Sequence, residues 1–393
     1  MTENPHHIPF NKPYRTGREA AMMEEALHNA HLSSDGPFTA KCKAWLEDVT
    51  GTRSALLTHS ATGALEAAAI LAEVGPGDEV IMPSFTFVTT ATAFLLRGAT
   101  PVFVDIREDT LNVDEDAVAA AITPRTKAIA AVHYAGVGCD MDRLKTIADD
   151  AGAILVEDAA QAILSSHNGQ PLGAIGHLGA LSFHETKNVT CGEGGALLVN
   201  DPDMVARAEI IRDKGTNRKE FFRGQVDKYT WMDIGSSFGM SEVSAAFLWA
   251  QLTEAQSITE RRLAIWNRYY EAFAPLEEAG FVRRPVIPDG LRHNAHLFYL
   301  LAPDLAARTA ILRRLNELEV NAVFHYVPLH SSPAGERFGR AHGDLTRTTE
   351  LSERLLRLPL WVGMSDEDLD RVVGAVEVAV TETLEDRAAG LPA

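Results

Sequence analysis

Between residues 53 and 200, short apolar, β-rich runs alternate with segments of helical periodicity, and no other feature restricts the possible folds as strongly. The runs are SALLT, DEVIMPSF, TPVFVDI, KAIAAVHY, AILVEDA, ALSFHE and GGALLVN. Between them the pattern predicts helices over 61–71, 88–97, 115–122 and 141–151. Parallel strands joined by crossover helices satisfy that order, which predicts an α/β fold with a mostly parallel seven-stranded sheet. The fourth and fifth runs are nearly unbroken apolar stretches, as strands covered on both faces should be. In such sheets ligands gather at the carboxyl ends of the strands, so polar residues there are the first suspects.

Beyond residue 200 the pattern changes. Long helices are expected over 204–214 and from 240 to about 270. Short strands (HLFYLLA, AVFHYVP) then mix with helices at 306–318, 350–356 and 366–383. A chain of 393 residues exceeds one ordinary core. The expected division is an N-terminal segment 1–30, a large α/β domain 31–255 and a smaller C-terminal α+β domain 256–393, with a frayed tail at 387–393.

Charge excludes whole classes of partner. The formal balance of −18 repels polyanions and disfavours broad nucleic-acid or anionic-membrane surfaces, so any bound phosphate needs a local, shaped site. No run reaches the roughly 18 apolar residues of a membrane helix, and the start carries no basic region followed by an apolar one; the expectation is a cytoplasmic protein. Cys42, Cys139 and Cys191 lack the paired spacing of a zinc site and are expected to be free thiols, with no metal bound.

The chemistry is concentrated where strands end. AILVEDAAQA closes on Glu157 and Asp158, an acidic pair that is costly at the mouth of an apolar strand unless something cationic meets it. Asp158 suits either a helix N-cap or a partner for a protonated ring nitrogen. Further on, Lys187 follows strand ALSFHE and precedes GEGG, flanked by Ser182, His184 and Asn188. A lysine buried there is pushed toward neutrality, and a neutral amine attacks an aldehyde. HSATGALEAA opens a helix with Ser60, Thr62 and Gly63, whose exposed N–H groups suit a phosphate. PSFTFVTTA sets Phe85 and Phe87 after another strand, available to stack on a flat ring. Phosphate cradle, stacking ring, aspartate and lysine together form the equipment for pyridoxal phosphate.

At this point the chain resembles the fold-type I, aspartate-aminotransferase-like enzymes and, among them, the DegT/DnrJ/EryC1/StrS sugar aminotransferase family. The motifs are collinear: IPFNKP, GDEVIMPSFTFVTTATAFLLRGATPVFVDI, VHYAGVGCDMD, VEDAAQA, SFHETKNVTCGEGG, HYVPLH and LPL. The resemblance implies that Lys187 holds pyridoxal 5′-phosphate as a Schiff base and shuttles protons, and that Asp158 pairs with the ring nitrogen. It puts Gln161 beside that pair, Phe87 on the ring, and Thr62, Gly63 and Ser182 on the phosphate. Many members reach the neighbouring subunit's phosphate with an asparagine in a G-x-N-Y-R-M segment; here Gly235-Ser236-Ser237-Phe238-Gly239-Met240 puts Ser237 at that place. Phe38, in the loop of residues 36–39, and His330 in HYVPLH resemble substrate-cleft residues, whereas His296 and His325 read as core histidines.

The family's dehydratase relatives carry histidine in place of the lysine, so Lys187 implies transamination, from L-glutamate to a nucleotide-linked keto sugar, in a homodimer. FHETKN, RDKGTNR, FFRGQVDKYTW and DIGSSF resemble the members that aminate dTDP-4-dehydro-6-deoxy-D-glucose. A ketone at C3, a UDP or GDP carrier, and a non-catalytic regulatory member are the alternatives. The basic run Arg212, Lys214, Arg218, Lys219, Arg223 suits either a solvated loop or the substrate's diphosphate, the latter through Arg218 and Arg223. The aromatic residues Phe247, Trp249, Trp266, Tyr269 and Tyr270 are more apolar than one helix face needs and suggest a subunit interface.

Overall fold

A computed structural model describes residues 7–388. The seven expected runs form β1 (Ser54–Thr58), β2 (Glu79–Pro83), β3 (Thr100–Val104), β4 (Thr126–Val132), β5 (Ile154–Asp158), β8 (Leu178–Ser182) and β9 (Gly195–Val199). Two two-residue strands, β6 (Ser166–His167) and β7 (Gln170–Pro171), form a hairpin between β5 and β8 that also pairs with β10 (Leu291–Arg292). The main sheet runs β1-β9-β8-β5-β4-β2-β3, with β9 antiparallel to both neighbours and the rest parallel. The sheet has eight strands rather than seven, because β12 (Arg340–Ala341) arrives from the C-terminal part and pairs with β3. Two residues between turns carry no periodicity that the sequence could reveal.

Each strand is apolar on both faces. Leu57, Ile81, Ile129, Leu155 and Leu198 point into one core and Leu56, Val80, Ala128, Val156 and Leu197 into the other, following the two-residue alternation of a strand. Helices α2 (Pro37–Thr50), α5 (Glu115–Ala121) and α6 (Met141–Ala151) lie over the first face; α3 (Ala61–Leu71), α4 (Val88–Leu95) and α7 (Val205–Arg212) lie over the second. Helix α1 (Glu19–His28) packs on α9 (Glu242–Leu252), and the short α8 (Arg218–Phe222) precedes that helix.

The long helix expected from 240 to 270 is two, α9 and α10 (Ala255–Ala272). The Thr253 hydroxyl donates to the Ala250 carbonyl, closing the last turn of α9 before α10 starts. Ala255 still belongs to the first core, whereas Ile265, Trp266 and Tyr269 enter a second one built with β11 (Phe298–Leu301), β13 (Leu355–Leu358) and the final helix Asp366–Ala388. Ile8 is part of that second core and bridges to Val320.

Three further expectations need correction. AVFHYVP is irregular backbone with a single bridge from Val323 to Arg357, and its consecutive residues His325 and Tyr326 both line a cavity, which a regular strand's alternation would not allow. The helix expected over 350–356 spans Thr346–Arg354 and hands directly into β13. Arg387 is helical and pairs with Asp304; the other tail residues assigned to fraying, from 389 on, lie outside the described residues.

Candidate active site

Loops at the carboxyl ends of the parallel strands, together with β13 and the 324–326 segment, enclose a cavity of about 500 Å³. That size is usual for a small-molecule site. Successive residues of a strand point to opposite faces, and this separates the acidic pair. Glu157 turns away from the cavity: it accepts from His133 Nε2 at 2.8 Å and from the N–H groups of Gly173, Ile175 and Gly176, anchoring the loop before β8. Asp158 lines the cavity. One of its oxygens accepts from the Thr90 hydroxyl at 2.7 Å and the other from the Ala160 N–H at 3.2 Å. Residues 159–162 form turns, so Asp158 caps no helix. Thr90, itself bonded to Thr86, is a partner of the carboxylate that no sequence signal marked.

Lys187 follows β8 and also lines the cavity. Among the described residues, no hydrogen bond or ion pair ties down its amine. Burial among protein atoms lowers its pKa to about 8; Asp158 opposes the shift and Arg357 reinforces it. The amine is thus available for covalent chemistry near neutral pH.

At the opposite side, Ser60 caps α3 by accepting from the Gly63 N–H at 3.1 Å. This leaves the N–H groups of Ala61 and Thr62 uncapped at a helix start that faces the cavity, the arrangement a phosphate needs. Ser182 lines the same cavity. Gly63 does not: its N–H is taken, and its Cα packs under His59 and Phe238. Phe87 lines the cavity while remaining 54% exposed, and Phe85 is buried core. Gln161 is fixed twice, accepting from the Ala135 N–H and donating to Tyr326.

The substrate-side expectations are revised. Phe38 is fully buried in the core at the start of α2, where Glu242 accepts from the backbone N–H groups of Gly36, Phe38 and Thr39. His330 sits outside the cavity lining, bonded to the Ser84 hydroxyl. His325 and His296, read as core residues, line the cavity instead. His325 bonds the Tyr134 hydroxyl and His296 faces Asn188; burial holds both imidazoles well below their ordinary pKa, hence neutral. The two histidines of HYVPLH thus exchange the places expected of them, because an irregular loop has no fixed side-chain period.

Arg218 and Arg223 lie outside this cavity. Arg218 stacks over Phe222, and Arg223 forms a two-pronged pair with Glu209 that occupies its guanidinium. Arg212 is buried against Asp35 and Lys219 approaches both Asp35 and Glu209. The basic run is therefore largely balanced internally. Ser237 is exposed and also outside the lining. Arg262, Arg357, Tyr326 and Asn11 line the cavity without having stood out in the sequence.

A family model described as DegT/DnrJ/EryC1/StrS aminotransferase matches residues 13–377. The chain belongs to that family. The spore coat polysaccharide biosynthesis protein SpsC of Bacillus subtilis is 33% identical over 379 residues, covering 94% of this chain and 96% of SpsC. Spr1654 of Streptococcus pneumoniae, named as a candidate sugar aminotransferase, superimposes in its apo form with a TM-score of 0.89 at 28% identity, over 96% of this chain and 99% of its own. It has also been solved in PLP and PMP forms. The aminotransferase TlmJ of Streptoalloteichus hindustanus superimposes at 0.88 with 30% identity, again over 96% of this chain and 99% of that one. The family assignment agrees with the α/β architecture, and no described helix is long and apolar enough to cross a membrane.

Proposed function

We propose that this family member uses pyridoxal 5′-phosphate to move an amino group from L-glutamate to the keto carbon of a nucleotide-linked sugar. The observation carrying the proposal is the convergence in one cavity of the unpaired Lys187 amine, Asp158 locked by Thr90, and the uncapped start of α3. Polysaccharide biosynthesis in the name of SpsC supports a sugar acceptor.

Bound pyridoxal phosphate supplies an electron sink for the carbon that bears nitrogen. Each residue has its own task. When the cofactor is bound, Thr62 and Ser182 would hold its phosphate and Phe87 would pack against its ring. Asp158, oriented by the Thr90 hydroxyl, would face the ring nitrogen, and Gln161 would flank it. Lys187 would act as the base that takes the proton from the donor carbon and, as its conjugate acid, would return a proton to the sugar carbon in the second half. The neutral His296 and His325 supply hydrogen bonding without adding charge.

The first candidate acceptor is dTDP-4-dehydro-6-deoxy-D-glucose, giving dTDP-4-amino-4,6-dideoxy-D-galactose, as in the transaminase of enterobacterial common antigen synthesis. That choice rests on the FHETKN, RDKGTNR and FFRGQVDKYTW motifs. The working unit we propose is a homodimer in which Ser237 approaches the partner's phosphate. The large and small domains meet at about residue 255, the cavity lying between their cores.

The test has two stages. The purified chain should show an absorbance band near the visible edge that disappears on adding L-glutamate; its absence would refute the cofactor assignment. The glutamate-treated protein is then offered 4-keto and 3-keto sugars on dTDP, UDP and GDP, with products identified by mass and proton couplings. Amination of none of them would reject the sugar-acceptor reading, and preference for a 3-keto, UDP or GDP substrate would replace the first candidate.

A further inference from the structure

A second cavity, of about 510 Å³, lies between α2, α7 and α8. It shares no lining residue with the first, and no side chain assigned to amino transfer reaches it. Ser54, which opens β1, lines the second cavity, whereas Ser60, just past the end of β1, lines the first. The five residues of that strand place roughly 15 Å between them.

The charge of this cavity is opposite to that of the chain. Lys43, Arg53, Lys219 and Arg223 line it against Glu209 and Glu220, in a protein whose formal charge is −18. Arg223 is spent on Glu209, and Glu220 accepts from Asn217 Nδ2 at 3.0 Å. The other three cations are not spent. Arg53 is exposed, and its side chain makes no hydrogen bond or ion pair among the described residues. The Lys219 amine stands 3.6 Å from Asp35 and 3.8 Å from Glu209. The Lys43 amine stands 3.5 Å from Glu47 and 3.4 Å from the Ser54 hydroxyl. All four separations exceed an ordinary hydrogen bond, so both amines keep donors for a ligand. Burial, with Arg212 and Lys43 nearby, lowers the pKa of Lys219 although Asp35 and Glu209 oppose the shift. Cations gathered in a confined space attract a small anion and hold it by charge-assisted hydrogen bonds.

The rest of the lining decides which anion. The cations come from α2, the turn before β1, and α8, whereas Pro202, Val205 and Ile210, from α7 and the turn before it, contribute apolar surface. A lone phosphate ion would leave that surface uncovered and most of the volume unfilled. We propose that the cavity binds a nucleoside phosphate, with the phosphate on Lys43, Arg53 and Lys219 and the base against Pro202, Val205 and Ile210. This site is distinct from sugar-nucleotide binding in the first cavity and does not depend on the aminotransferase reading.

Titration calorimetry of the purified protein with ADP, dTDP, adenosine and inorganic phosphate tests the assignment. The parent should bind at least one of the two nucleotides, should bind inorganic phosphate at least about tenfold more weakly, and should not respond to adenosine. Arg53→Gln and Lys43→Gln should each raise the nucleotide Kd roughly tenfold, the loss of one charge-assisted partner. Ala206→Trp, an exposed position of α7 in the lining, should block the cavity with every cation in place and abolish binding. All three variants should leave the glutamate-driven band change as in the parent. A parent that binds neither nucleotide, or nucleotide affinity unchanged in both glutamine variants, would overturn the site. Inorganic phosphate binding as tightly as the nucleotides would overturn the nucleoside part of the assignment. A parent that binds a nucleotide as described but never responds to glutamate would refute the aminotransferase reading and leave this site standing.

Discussion

At the residue scale, Lys187 and Asp158 were legible in the sequence because both follow strands that end abruptly in polar residues. Thr90 was not, because a threonine one turn into a helix looks like any other, and only the fold brings it within 2.7 Å of Asp158. Arg357 and Arg262 were hidden for the same reason. Asp158→Asn should fold as the parent does, since the Ala160 N–H contact survives, yet lose roughly a hundredfold or more in turnover because a neutral amide no longer favours the protonated ring. Near-parental turnover would remove Asp158 from its assigned role. Lys187 gives a pH signature. Its amine titrates at about 8 rather than 10.5, so the neutral, reactive form grows with rising pH and is nearly complete a unit above 8. The rate at which cofactor-free protein captures pyridoxal phosphate should climb about tenfold per unit below that point and flatten above it. A rate still climbing steeply at pH 10 would show the amine to be unshifted. Lys187→Ala should bind the cofactor without a borohydride-reducible link.

At the scale of elements, strands with two apolar faces were readable from composition alone, whereas β12 and the 324–326 segment were not. Those pieces are set by what they meet. Arg340 on β12 reaches Glu79 on β2 at 3.0 Å, alongside Thr123 and Arg125. Burial alone would raise the Glu79 pKa, but these partners outweigh it and bring it from 4.5 to about 2. The folded-state value lies below the unfolded one, so the stabilisation is complete above about pH 4.5 and disappears as pH falls toward 2. Arg340→Ala should cost about 1–3 kcal/mol at pH 7 and much less at pH 2.5, as measured by urea unfolding. A cost independent of pH would mean that β12 is held by its backbone pairing alone.

At the scale of the whole molecule, three of the five aromatic residues of α9 and α10 that suggested a subunit interface are taken up by packing within the chain. Trp266 and Tyr269 are buried in the second core, and Trp249 packs on the first. Periodicity cannot tell a helix bridging two cores from one that meets a partner. A different surface does suit a partner: Phe222, Tyr229, Trp231, Met232 and Ile234 are exposed together, Trp231 at 79%. If this surface meets a second copy, replacing both Trp231 and Ile234 by Glu should convert a dimer to a monomer in light scattering while leaving the melting temperature of each chain nearly unchanged. A parent that is monomeric at working concentration would dismiss the homodimer. The sheet order has another consequence, for the timing of biosynthesis. Among the described residues the edge strand β1 pairs with one strand, β9, which is made only after α3 and the next five strands of the main sheet, and its last residue, Thr58, bridges to the still later Gly239. At ordinary translation speeds β1 therefore waits roughly ten seconds or more for its partner. The cavity, lined from Phe10 to Leu360, is complete later still, so the cofactor can only be a late arrival on a nearly finished chain and cannot guide its early folding.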